Sequence, residues 1–251
     1  MEHKASFTSV VGSHNYNLVT DKSDLDKLMF VYPNFEDMYK GTFVKDVTIS
    51  KGVDISVHDV RKLPEYFLKS SPNFLEILFS VRTVVEDELF NELRKERDNI
   101  VKMNLPSFYE ACRGMFTQQL KKAQKVHSER YKYANEDNVD VVVGKSIASA
   151  LRIYNLLTTF HSQGFSNYQD SLWYEVGTVD HGIIASLKTG ELKSRYEEFL
   201  EVLEVNADII TTLKKDYRDN VIDYEIKEYV DEVVQKYVKN KLKAELRWVT
   251  L

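Results

Sequence analysis

Hydrophobic periodicity changes once along this chain, and the change limits the folds open to it. Up to about residue 60 the apolar residues come in short runs closed by turn residues. The run 7–11 stops at Gly12-Ser13 and the run 28–32 stops at Pro33-Asn34, while 42–49 and 53–57 flank Ser50-Lys51-Gly52. Such runs read as strands, the last two as a hairpin, with short helical turns expected within 14–19 and at 35–39. From Thr83 onward the apolar spacing is helical and turn dipeptides are few. It predicts helices over 84–103, 106–126, 143–163, 182–188, 191–205 and 208–217. A last, long helix is marked by Ile222, Ile226, Tyr229, Val230, Val233, Tyr237, Val238 and Leu242 and runs to Leu246. The expectation is an α+β chain: a mixed sheet with flanking helices over 1–103, followed by an all-helical lobe over 104–251.

Composition narrows the class. With 251 residues, 43% hydrophobic and 29% charged, the chain can bury a sizeable core as an ordinary soluble globular protein. No apolar run approaches membrane-spanning length, and the opening MEHKASFTS lacks the apolar stretch of a signal peptide. Cys112 is the one cysteine, so no intrachain disulfide can form and a reducing, cytoplasmic compartment is expected. It shares helical spacing with Phe108, Met115 and Phe116 and reads as core rather than nucleophile. The six histidines form no His-Glu-x-x-His pattern, which argues against a zinc site. A net charge of −5 argues against a protein that coats nucleic acid with a broad basic surface. It leaves room for an enzyme with a local basic groove.

The chemistry-bearing stretch is VVGSHNYNLVTDKSDLD, residues 10–26. Gly12 lets backbone or phosphate approach closely, and Ser13 offers a hydroxyl and an N–H at an expected helix start, a natural phosphate seat. Asp24 and Asp26 stand at i and i+2, so on an extended segment their carboxylates project to one side. Two such carboxylates repel, and a divalent cation between them relieves the repulsion. A second strand, Val53-Asp54-Ile55-Ser56-Val57-His58, places Asp54, Ser56 and His58 on the face opposite its apolar residues. Asp54 is the candidate third carboxylate, with Asp46 on the partner strand a weaker one. A solvated strand face would explain Asp54 equally simply. His58 could act as a base or touch phosphate, or be ordinary structure at a strand end.

Gly12-Ser13 followed by Ser23-Asp24-Leu25-Asp26 resembles the signature of the DNA polymerase β-like nucleotidyltransferase superfamily. The fuller string is similar to one subgroup, the predicted nucleotidyltransferases associated with RNA repair; Asn17 stands where that subgroup has glycine. A second likeness is Ser71-Pro72-Asn73-Phe74-Leu75-Glu76-Ile77-Leu78-Phe79, which departs from the subgroup pattern at Ser71. There Pro72 is expected to end one helix and Asn73 to cap the next, with Glu76 an exposed helix carboxylate rather than a catalytic one. Val143-Gly144-Lys145-Ser146 lacks the first glycine of a Walker A loop, Val139 standing in its place. It better resembles the subgroup's lysine-bearing helix start, with Arg152 seven residues on and on the same helical face. Lys121, Lys122, Lys125, His127, Arg130 and Lys132 interleave with Tyr131 and Tyr133. That stretch suits phosphate contact with base stacking, but a solvated helix end is the preferred account.

The resemblance implies a polymerase β-like fold with the active site between its two lobes, and two-metal nucleotidyl transfer. Asp24, Asp26 and Asp54 would hold two Mg²⁺ ions (Mn²⁺ being an alternative), and Gly12 and Ser13 the phosphates of a nucleoside triphosphate. Lys145 and Arg152 would contact the triphosphate or the acceptor. An NMP would pass to a hydroxyl, such as an RNA or tRNA end, with pyrophosphate leaving. Two alternatives stay open: a protein-AMPylating enzyme of toxin–antitoxin type, or a family member that binds nucleotide or a partner without turnover. No membrane partner is expected.

Overall fold

The computed structural model describes residues 3–21, 23–50, 52–129 and 139–248. In chain order the elements are β1 (Ala5–Val10), β2 (Leu25–Val31), α1 (Phe35–Lys40), β3 (Lys45–Ser50), β4 (Val53–Asp59), α2 (Leu63–Leu68), α3 (Pro72–Leu75) and β5 (Thr83–Val85). Helices α4 (Glu88–Lys95), α5 (Arg97–Lys102), α6 (Leu105–Ser128), α7 (Val139–Ser162), α8 (Tyr168–Leu172), α9 (Val179–Thr189), α10 (Tyr196–Arg218) and α11 (Tyr224–Trp248) follow. The chain forms two compact units that are not its sequential halves. The first comprises Met1–Asn15, Asp24–Asn104 and Ile222–Leu251; the second comprises Tyr16–Ser23 and Leu105–Val221. No helix among the described residues is long and apolar enough to cross a membrane.

The first unit is built on a five-stranded mixed sheet of order β3-β4-β2-β1-β5, in which β2 and β4 run parallel and the other pairs antiparallel. Paired residues share a face, so Phe7 and Phe30, opposite one another on β1 and β2, stack at 4.8 Å between ring centroids. Phe90 of α4 closes over Phe7 at 4.6 Å, and all three rings are fully buried. Helix α11 packs on α2, α4 and α5 of the same unit. Val230, Val233, Val234 and Val238 supply its buried stripe, and Lys236 and Tyr237 bond the Glu92 carboxylate. An amphipathic pattern announces an apolar face without saying what covers it, and here the sheet unit covers it.

Several local expectations are corrected. The single helix over 84–103 is instead edge strand β5 followed by α4 and α5. Val84 and Val85 pair with Thr8 and Phe7, and Asp87 caps α4 by accepting from the Leu89 N–H. The helices expected at 191–205 and 208–217 are one, α10, which runs through the buried Asn206. Ser71, not Asn73, takes the N-cap position of α3, and Pro72 sits at its first turn, where a missing N–H costs nothing. The expected turn within 14–19 is a 3-10 turn at Gly12–His14.

His58 is also corrected from a strand-end residue to a core residue. It pairs with Phe30 across β4 and β2, stacks on it at 5.5 Å, and meets the edge-on rings of Tyr66 and Phe74. Burial, then the Lys45 ammonium, push its imidazole below the ordinary value. Above about pH 6.5 the ring is neutral folded or unfolded. Below that, the unfolded chain takes up a proton that the folded chain resists, so stability falls with pH until the folded value is passed. The melting temperature should therefore drop more between pH 7 and 5 in the wild type than in His58→Phe. Parallel pH profiles would contradict this.

The second unit is helical. Phe108, Phe160, Phe165, Tyr168 and Tyr217 interlock with centroid spacings of 4.8 to 6.0 Å. The buried hydroxyls of Tyr109 and Tyr217 donate to the Ile210 and Leu157 carbonyls. Gly144 lies inside α7, where a Cβ would fall 2.0 Å from the Leu187 carbonyl oxygen of α9 and 2.5 Å from the Tyr196 hydroxyl. This glycine serves close helix packing, in keeping with the rejection of a phosphate loop.

Candidate active site

At the end of β1 the chain turns sharply beside the start of β2. The Val11 N–H donates to the Asp26 carbonyl at 3.0 Å, and Gly12 then adopts φ +67°, a conformation that disfavours side chains. Gly12–His14 form the 3-10 turn, closed by Asn15 N–H donating to the Gly12 carbonyl at 2.9 Å. Room as well as backbone demands glycine, because a Cβ here would lie 2.9 Å from Asp26 Oδ2. The Gly12 turn therefore sits directly against the Asp26 carboxylate.

Asp26 and Asp54 are register partners on the parallel strands β2 and β4. They share the face that carries Phe30 and His58, two pairs further along. That face thus runs from a carboxylate pair at one end to a buried aromatic pair at the other. Both aspartates are half-buried, and Asp24, just before β2, is exposed. The Leu25 N–H donates to Gly52 O at 2.9 Å and ties the start of β2 to the turn between β3 and β4. Asp46 pairs with Val57, which places it on the opposite face from Asp54. It is no alternative third carboxylate.

Glu76 is also placed differently from its sequence expectation. It opens a 3-10 turn over Glu76–Phe79 and is 3% exposed, not a solvated helix carboxylate. Its Oε2 accepts from the Gly12 N–H at 3.1 Å and from Asn15 Nδ2 at 3.3 Å. Asn15, itself buried, also donates to the Glu76 carbonyl and accepts from the Val81 N–H. The available signal was Glu76's position between Leu75 and Ile77 in an apolar run with no polar stripe of its own. Two carboxylates, Asp26 and Glu76, thus approach one glycine.

Lys145 and Arg152 belong to the second unit. Lys145 lies six residues inside α7 and is exposed, rather than opening the helix. Arg152 is half-buried, with its guanidinium 4.3 Å from the centre of the Tyr16 ring. The same unit anchors the segment after Tyr16. Asn17 has φ +62°, donates from Nδ2 to the Tyr174 carbonyl at 2.8 Å, and its own carbonyl lies 3.0 Å from His181 Nε2. Asparagine tolerates that conformation well, which accounts for its presence where the subgroup has glycine. Of the basic stretch, Lys121, Lys122 and Lys125 are exposed on the last turns of α6, while Arg130, Tyr131, Lys132 and Tyr133 lie outside the described residues.

An all-oxygen donor set of aspartates suits a hard divalent cation such as Mg²⁺ or Mn²⁺. The fit rests on the Asp26–Asp54 register and on the space above Gly12, which only a residue without Cβ leaves to Asp26. Among the described residues no group of three or more His, Cys, Asp or Glu side chains is arranged to hold a metal ion.

No curated protein matches the chain. Among solved structures it is similar to a nucleotidyltransferase-like protein from Exiguobacterium sibiricum 255-15, at 12% identity and TM-score 0.39, over 85% of this chain and 72% of that one. The family model described as "RNA repair pathway DNA polymerase beta family" matches residues 1–135, just over half of the chain. That span holds the Gly12-Ser13 turn, Asp24, Asp26, Asp54 and Glu76. The chain belongs to the RNA repair pathway DNA polymerase beta family and is a nucleotidyltransferase-type enzyme.

Proposed function

We propose that this protein transfers an NMP from a nucleoside triphosphate to a hydroxyl acceptor, using divalent metal bound at the Asp26–Asp54 pair, with Asp24, exposed just before β2, as the candidate third carboxylate. The observation that carries the reading is the register of Asp26 with Asp54 beside the positive-φ turn at Gly12. The acceptor oxygen would form a bond to the α-phosphorus as the bond to the β-phosphate oxygen breaks; the hydroxyl proton is released and pyrophosphate leaves. Bound Mg²⁺ would neutralise charge on the attacking and leaving oxygens. The protein's part is to hold Asp26 and Asp54 on adjacent strands and to keep Gly12 clear of side-chain bulk. The family's description favours an RNA end as acceptor, and the exposed lysines of α6 are compatible with one.

The test is pyrophosphate release from ATP, GTP, CTP and UTP with Mg²⁺ or Mn²⁺, offering RNA with a free 3′ hydroxyl or a protein fraction as acceptor. Metal-dependent release with label passing to RNA is the expected outcome. Label on protein would move the reading to AMPylation. Nucleotide binding without release across all acceptors would favour a binding role and overturn transfer.

A further inference from the structure

We propose that Glu76 is a positioning residue for the metal site, acting through Gly12 on the Asp26 carboxylate; the inference rests on the nucleotidyl-transfer reading above. A carboxylate as buried as Glu76 is tolerated only where donors meet it. Two of its donors, the Gly12 N–H and Asn15 Nδ2, come from the turn itself. Asn15 is fixed in turn through the Val81 N–H, so the clamp ties the turn to the segment that follows the Glu76–Phe79 turn. On its other side Gly12 abuts Asp26 Oδ2 with no room for a methyl group. The position of Gly12 therefore bounds where the Asp26 carboxylate can stand, and Glu76 sets the position of Gly12. Groups that orient metal ligands from behind typically change metal affinity by roughly 10- to 100-fold when altered.

The experiment is Mn²⁺ binding to the full chain without nucleotide, followed by electron paramagnetic resonance well below each variant's melting temperature. Glu76→Gln should weaken Mn²⁺ binding at least about 10-fold, at the lower end of that range. Asn15→Ala keeps the Glu76 charge but loosens the clamp, and should weaken binding in the same direction. Wild-type affinity in a folded Glu76→Gln overturns the inference. Weakening in Glu76→Gln but not in Asn15→Ala overturns it too, since charge alone would then suffice. Asp26→Asn separates the two levels. If Asp26→Asn abolishes binding while a folded Glu76→Gln keeps the wild-type affinity, only the positioning role falls. If the wild type binds no Mn²⁺, or Asp26→Asn binds it normally, the metal-site reading falls and takes this inference with it.

Discussion

Asp26→Asn is expected to lower pyrophosphate release at least ~10³-fold, roughly 4 kcal/mol of transition-state stabilisation, while the chain stays folded. The loss follows from removing one of two in-register carboxylates that would neutralise the same cation. Stability should move little or rise, because the substitution removes a like-charge pair on adjacent strands and keeps the side chain's shape against Gly12. Activity assayed beside a thermal melt reads both quantities. A folded Asp26→Asn with wild-type turnover would contradict the site. Asp54→Asn should behave likewise. Asp46→Asn, on the other face, should leave turnover unchanged.

The second large effect concerns stability. Gly144→Ala brings a methyl group to within 2.0 Å of the Leu187 carbonyl oxygen and 2.5 Å of the Tyr196 hydroxyl. The tyrosine can yield; the carbonyl of α9 cannot do so without moving the helix. Alanine gains about 1 kcal/mol over glycine in helix propensity. Overpacking costs about 1–3 kcal/mol, and contact with backbone belongs at the upper end or beyond. The clash wins, leaving a net loss of about 2 kcal/mol or more. For a chain of this length that is a fall in melting temperature of roughly 4–8 °C. An unchanged or raised melting temperature would show that α7 and α9 do not approach this closely.

What could be read from the sequence was what short-range chemistry dictates. Gly-Ser after an apolar run marked the turn, and the Ser50-Lys51-Gly52 breaker marked the hairpin. The α+β class and the family followed from these pieces. What could not be read was set by contacts distant in sequence. Glu76 looks like any helix carboxylate until the 3-10 turn carries it to Gly12, 64 residues away. His58 alternates with Val57 as a solvated residue would, yet α2 and α3 bring Tyr66 and Phe74 onto its ring. β5, three residues long, is too short to show a period and exists because β1 offers an edge. Lys145 and Arg152 share a helical face by spacing, but the arginine is half-buried over the Tyr16 ring while the lysine is exposed.

The most direct test of the central claim is the melting temperature with each nucleoside triphosphate, with and without Mg²⁺, in wild type and Asp26→Asn. A ligand at 100 times its dissociation constant stabilises the folded state by about 2.7 kcal/mol, roughly 5–10 °C for a chain of this size. The prediction is a rise of that order for at least one nucleotide, present only with Mg²⁺ and absent in Asp26→Asn. A rise that survives without Mg²⁺, or persists in Asp26→Asn, would contradict a nucleotide site built on that carboxylate.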